Sequence, residues 1–84
     1  MNNKRFLLRI FPKDTSQNME HDFLLHFVTE EIKDISDQDI FLDEVFEEEN
    51  YTEYVLTSNF ESATKFAQTL REFFNYNIYL KIKS

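Results

Sequence analysis

Hydrophobic and polar residues alternate in four segments of the chain, which is the pattern of strands with one buried face. The segments are residues 5–11, 40–47, 51–58 and 76–83. In the first segment Phe6, Leu8 and Ile10 share the face that we expect to be buried. The second segment is ambiguous, because strict alternation puts Phe41 and Phe46 on opposite faces and only one of them can then point into the core.

Two further segments place apolar residues three and four positions apart, which predicts helices with one buried stripe. The first helix ends near Lys33, and its stripe is formed by Met19, Phe23, Leu24, Phe27, Val28 and Ile32. The stripe of the second helix is formed by Ala63, Phe66, Ala67, Leu70, Phe73 and Phe74. Ser58 and Glu61 have the spacing of a capping box, so we expect Ser58 to cap this helix.

The predicted order of elements is strand, helix, strand, strand, helix, strand. Right-handed crossovers then put both helices on one face of a four-stranded antiparallel sheet, with strand order 4-1-3-2. The expected fold class is therefore α+β, with a ferredoxin-like βαββαβ arrangement. We expect one compact domain over residues 1–84. A swapped or dimeric version of the same units is the main alternative.

Composition excludes several kinds of site. The chain has no cysteine, so it has no disulfide, no thiolate metal ligand and no cysteine nucleophile. It has no glycine either, which excludes the glycine-rich loops that hold phosphates. Ten phenylalanines supply the material for a core held together by packing alone. No apolar run approaches the length of a membrane span, and we expect a cytoplasmic protein without a membrane partner.

No residue pattern indicates catalysis, a cofactor or a metal. The two histidines, His21 and His26, are five residues apart on the first helix. At 3.6 residues per turn they are separated by about 140° and cannot share a metal ion. Carboxylates are so numerous in this acidic chain that no pair of them identifies a general acid and base. We expect no enzymatic activity.

Charge is distributed unevenly along the chain, whose net charge is −7. Eleven acidic residues and a single lysine lie between Glu30 and Glu53. Acidic residues there can steer association with a basic protein while the aromatic residues among them anchor it. The predicted partner-binding surface consists of Phe41, Asp43, Glu44, Phe46, Glu47, Glu48, Glu49, Tyr51 and Glu53.

Basic residues are concentrated in the first and fourth strands. Together with apolar neighbours they form an alternative site on the uncovered sheet face, consisting of Arg5, Leu7, Arg9, Phe11, Tyr79 and Lys81. In chemistry this set resembles the aromatic and cationic platform of RNA-recognition domains. The overall negative charge opposes phosphate binding, so nucleic acid is the less favoured partner. An alternative interpretation of the lysines in these strands is that they protect an exposed sheet edge from aggregation.

These patterns favour a non-catalytic protein-binding module, most simply a small acidic inhibitor or antagonist that docks on the basic surface of a larger protein. Residues with AT-rich codons predominate, which is typical of AT-rich bacterial and phage genomes, and phage anti-defence and immunity-type proteins have this general profile. The alternatives are single-stranded RNA or DNA binding through the open sheet face, and a self-associating accessory subunit such as a homodimer.

Overall fold

The computed structural model describes residues 3–14, 19–35 and 40–83. Its elements in chain order are β1 (Lys4–Pro12), α1 (His21–Ile35), β2 (Ile40–Glu47), β3 (Thr52–Ser58), α2 (Phe60–Phe73) and β4 (Tyr76–Ile82). The four strands form one antiparallel sheet in the order β2-β3-β1-β4. This is the predicted order 4-1-3-2 read from the other edge, so the ferredoxin-like arrangement is confirmed.

The core lies between the sheet and the two helices. Both helices and all four strands contribute buried side chains to one apolar cluster, which includes Leu8, Ile10, Leu24, Val28, Ile40, Leu56, Phe66, Leu70 and Ile78. Helix α1 packs against β2, and α2 packs against β4. The opposite face of the sheet carries neither helix, and it is called the open face below.

The start of α2 differs from the predicted capping box. Asn59 is the N-cap residue, and its side-chain oxygen accepts a hydrogen bond of 2.7 Å from the Ser62 amide. Ser58 instead ends β3 as a buried residue, and its hydroxyl donates to the Asn59 carbonyl. The prediction was wrong by one residue because Ser58 is still paired with Lys4 and Ile40 in the sheet. Its side chain is therefore held on the buried face and is not available to cap the helix.

Three residues that were expected in the core, Phe73, Phe74 and Ile82, lie at its margin. Phe73 is the last residue of α2 and is 66% exposed. Phe74 follows the end of the helix, so the predicted stripe stops at Leu70. Ile82, at the end of β4, is half-exposed because it lies beyond the part of the sheet that the helices cover. In α2 and β4 the interior periodicity was read correctly, and the errors are at the ends of these two elements.

An arginine from α2 binds one backbone carbonyl group at the outer edge of β4. The guanidinium of Arg71 donates from Nε and Nη2 to the carbonyl oxygen of Ile78, at 3.2 Å and 3.0 Å. An edge strand presents unpaired backbone groups that can recruit another chain. Arg71 occupies one of these groups and also ties the last turn of α2 to the sheet.

Tyr54 is the largest fully buried side chain, and its hydroxyl has no hydrogen-bond partner among the described residues. Burial raises the pKa of Tyr54 well above its ordinary value, and the negative charge of Glu47 raises it further. The ring supplies apolar contact in the core, whereas the hydroxyl is desolvated and receives no hydrogen bond from residues 3–14, 19–35 or 40–83. This group therefore opposes folding.

We predict that Tyr54→Phe increases the free energy of unfolding by about 1 kcal/mol, because it removes an unpaired buried hydroxyl and keeps the ring. Urea denaturation at neutral pH measures the change. Because the phenol is charged only when deprotonated, its raised pKa stabilises the fold below the unfolded-state value of about 10, and this contribution is lost as the pH rises above it. The wild type should therefore lose more stability than Tyr54→Phe on going from neutral pH to above that value. A lower stability of Tyr54→Phe at neutral pH would contradict the interpretation.

Candidate partner-binding surface

A β-bulge in β2 decides which side chains reach the open face. Leu42 is opposite Leu56, whereas Glu44 is opposite Val55, so Asp43 is an additional residue without a partner in the ladder. The bulge changes the alternation at this point. Phe41 lies opposite Thr57 and Phe46 lies opposite Glu53, and both phenylalanines are consequently on the open face.

The expectation that one of these phenylalanines enters the core is wrong for this reason. Phe41 is 49% exposed and Phe46 is 43% exposed. The residues of β2 that pack against the core are Ile40, Leu42 and Val45, which have the other orientation. An edge strand with two outward phenylalanines is a surface that water solvates poorly.

Side-chain contacts hold the bulge in place. The Thr57 hydroxyl donates a hydrogen bond to Oδ2 of Asp43. The same carboxylate oxygen lies 4.0 Å from Nε of Arg5. Asp43 therefore joins β2 to β3 and to β1 through its side chain, although its backbone is unpaired in the ladder. These contacts place an acidic residue from one predicted surface against a basic residue from the other.

The two surfaces predicted from the sequence share one face. Residues directly opposite each other in an antiparallel sheet lie on the same side. Reading across the sheet from β2 to β4, one row is Phe46, Glu53, Arg9 and Tyr79, and the next is Glu44, Val55, Leu7 and Lys81. Acidic and aromatic residues of the first predicted site thus continue into the basic and apolar residues of the second.

The strongest polar contact on this face joins Arg9 to Glu53. Nε of Arg9 donates to Oε1 of Glu53 at 2.5 Å. The hydrogen bond to Glu53, together with its charge, raises the pKa of Arg9 above its ordinary value. Arg9 therefore stays charged, but Glu53 offsets this charge and occupies Nε, so Arg9 is less available to a phosphate group.

Aromatic rings extend across the end of the face nearest the β2–β3 turn. Phe11 stacks on Tyr51 with ring centroids 5.2 Å apart and contacts the edge of Tyr79 at 5.8 Å. Tyr79 is 58% exposed. These rings connect the residue before β3 with β1 and β4.

Acidic residues are concentrated at the β2 edge of the molecule, as the sequence predicts. We define the acidic edge as the exposed acidic residues of β2, of the following turn and of the neighbouring helix α1. These residues are Asp43, Glu44, Glu47, Glu48, Glu49, Glu30 and Asp34. Lys33 pairs with Glu30 at 3.8 Å and offsets part of this charge. Asp37 and Asp39, which also belong to the acidic segment, lie outside the described residues. The basic strands β1 and β4 are on the other side of β3.

His21 begins α1 and contacts the sheet. Its Nδ1 lies 2.8 Å from the hydroxyl of the buried Thr52, so this ring links the helix start to β3. Among residues 3–14, 19–35 and 40–83 no group of three or more His, Cys, Asp or Glu side chains is arranged to hold a metal ion. Over the same residues, no helix has the length and apolar character needed to cross a membrane.

Sequence reasoning missed an aromatic cluster between the helices. Phe27 and Phe74 are in edge contact at 4.6 Å, and Phe23, Phe73 and Tyr76 surround them. The four phenylalanines were assigned to separate buried stripes, whereas Phe23 is 51% exposed and Phe73 is 66% exposed. Periodicity within each helix does not show this cluster, because the cluster depends on how the ends of the two helices pack together.

Comparison with known proteins gives no indication of function. No protein family matches the chain, and neither a curated protein nor a solved structure gives a match. The geometry and chemistry of the surface therefore carry the functional inference by themselves.

The bulge leads to a prediction about deletions in β2. Removing Asp43 should change the free energy of unfolding by less than about 1 kcal/mol, because it removes an unpaired residue and leaves every ladder pair and both faces as they are. Removing Leu42 should lower it by about 2 kcal/mol or more, because Asp43 then takes a position on the buried face. Urea denaturation of the two variants measures the difference. Equal losses would show that β2 has no bulge at Asp43.

Proposed function

We propose that this chain is a non-catalytic protein-binding module that docks its acidic edge, and the aromatic residues beside it, on a basic surface of a larger protein. The observation that carries the proposal is the exposure of both Phe41 and Phe46 on the acidic edge strand. Large exposed aromatic residues are typical anchors of protein interfaces, and the surrounding carboxylates select a basic partner. An inhibitor or antagonist that covers a functional surface of its partner fits this chemistry best.

The division of roles follows from the positions of the residues. Glu48 and Glu49 lie in the exposed turn after β2, where their charge acts over distance and accelerates the encounter. Phe46 lies on the open face, where it loses contact with water only after docking. Charge changes in the turn should therefore alter mainly the association rate, whereas removal of the ring should alter mainly the dissociation rate.

Binding of single-stranded nucleic acid through β1 and β4 is less well supported. Arg9 is held by Glu53, and Arg5 lies beside Asp43. Both cations would have to exchange a carboxylate on the same face for a phosphate. The aromatic rings at Phe11 and Tyr79 fit base stacking, but the net charge of −7 opposes the approach of a polyanion.

We predict that Glu48→Lys/Glu49→Lys lowers the association rate with the partner several-fold at low salt, because it reverses the charge that steers the encounter. The partner is first captured from an extract of the encoding organism by a photo-cross-linking residue at position 46, and rates are then measured by surface plasmon resonance. The matched control is Glu61→Lys/Glu72→Lys, which makes the same change in net charge on exposed positions of α2.

The control should keep a rate much closer to that of the wild type, and Phe46→Ser should mainly accelerate dissociation. Equal association rates for the two double variants would contradict the choice of the acidic edge. If no protein cross-links to the photo-reactive residue at position 46 of an otherwise unchanged chain, the proposal itself fails.

A further inference from the structure

A second surface feature lies where the ends of the two helices meet. A cleft of ≈ 270 Å³ opens between the start of α1 and the end of α2. It is lined by Glu20, Phe23, Leu24, Phe73, Phe74, Asn75 and Tyr76. Four of these seven residues are aromatic and one is a carboxylate.

The aromatic walls of the cleft are held by contacts with one another. Phe74 meets the edge of Phe23 at 6.0 Å and stacks on Tyr76 at 5.8 Å. Phe27 supports the cluster from behind, because its ring packs against both Phe73 and Phe74. Tyr76 is buried, whereas Phe23 and Phe73 are exposed at the rim. The rings therefore line a surface whose arrangement exists before any ligand binds.

The electrostatics of the cleft favour a cation. Aromatic faces attract cations through their quadrupole, and the exposed carboxylate of Glu20 adds a full negative charge. The cleft also lies at the C-terminal end of α2, which is the negative end of the helix dipole. The start of α1 has the opposite polarity, but Asp22 in its first turn offsets this.

The basic residue in the last turn of α2, Arg71, contacts the sheet and not the cleft. Arg71, the basic residue of the last turn of α2, donates to the Ile78 carbonyl at the β4 edge. It does not line the cleft. Phe23, Phe73 and Glu20 are exposed, so these side chains are accessible to a cation from outside the chain.

The cleft is continuous with the acidic edge. Glu20 and Phe23 also line an adjoining depression together with Met19, His21, Asp22 and Glu47. Glu47 ends β2 and leads into the turn that carries Glu48 and Glu49. A basic protein that docks on the acidic edge would thus bring its own lysines close to the aromatic cleft.

We propose that the cleft binds the ammonium group of a lysine side chain, supplied by the basic partner of the proposed function, on which this inference rests. The alkyl part of lysine would pack on Phe23 and Phe73 at the rim, and the ammonium group would lie between the aromatic faces and the Glu20 carboxylate. The partner's surface is thereby specified more closely, because one lysine must project far enough to enter the cleft.

The test uses the full chain and small probes, so it does not require the partner. N-acetyl-lysine N-methylamide, its trimethyllysine analogue and the neutral norleucine analogue are titrated separately, and binding is followed by NMR shifts of Phe23, Phe73 and Tyr76. We expect saturable binding of the lysine probe and at least tenfold weaker binding of the norleucine probe, which has the same alkyl chain without the charge.

The variants Phe73→Ala and Glu20→Gln should each weaken lysine binding at least threefold. Their matched controls are Phe60→Ala and Glu61→Gln on the other end of α2, where Phe60 is 65% exposed, and these should leave binding unchanged. Because Phe73 is equally exposed, its removal should leave the fold intact, and the NMR spectrum checks this directly. Glu20→Gln provides a second test that removes no apolar contact.

Equal binding of lysine and norleucine would overturn the inference, since the cleft would then be merely apolar. The absence of saturable shifts with the lysine probe would overturn it as well. Binding of trimethyllysine without any binding of lysine would replace the lysine ligand by a quaternary ammonium ligand. Failure of these titrations leaves the charge-reversal experiment at Glu48 and Glu49 unaffected, so the two proposals can fail separately.

Discussion

One residue of β2, Asp43, has no partner in the ladder and determines which side chains of this strand lie on the open face. The bulge lets Ile40, Leu42 and Val45 reach the core while Phe41 and Phe46 both stay outside. A regular strand of the same sequence would have to bury one phenylalanine or expose part of the core stripe. The hydrogen bond from Thr57 and the proximity of Arg5 hold the Asp43 side chain across the sheet, so the local irregularity is tied to its two neighbouring strands.

The periodic parts of the fold were predictable from the sequence, and the features that depend on a single residue were not. In β1, in β4 and in the stripe from Ala63 to Leu70, many residues in a row follow one pattern of buried and exposed positions. This repetition makes the buried face of each element predictable. The bulge leaves no such signal, because Asp43 is one polar residue among several, and the chain has no glycine to mark a break in the strand. The cap of α2 was misplaced for a related reason. Ser58 and Asn59 are both good cap residues, and only the pairing of Ser58 in the sheet decides between them.

The candidate site also has one part that the sequence predicts and one part that it does not. The acidic residues lie together at the β2 edge and the basic ones on β1 and β4, but the sequence presented them as two separate surfaces. Strand order brings them together, because β3 carries Glu53 between the acidic edge strand and the basic β1. Glu53 offsets the charge of Arg9 and Asp43 offsets that of Arg5, whereas the carboxylates of the turn after β2 have no such arginine beside them among the described residues. The excess negative charge is therefore displaced to the β2 edge, next to the exposed phenylalanines and close to the aromatic cleft at the helix ends.

The pairing of β2 with β3 in solution tests the central claim most directly. Cross-strand NMR contacts should connect Leu42 with Leu56 and Phe46 with Glu53, with no partner in the ladder for Asp43. The Phe41 and Phe46 rings should both respond to a soluble paramagnetic probe. An unbroken ladder continued from the pair of Ile40 and Ser58 would instead place Phe46 opposite Thr52, on the buried face. Contacts of that second kind, together with a protected Phe46 ring, would contradict the account.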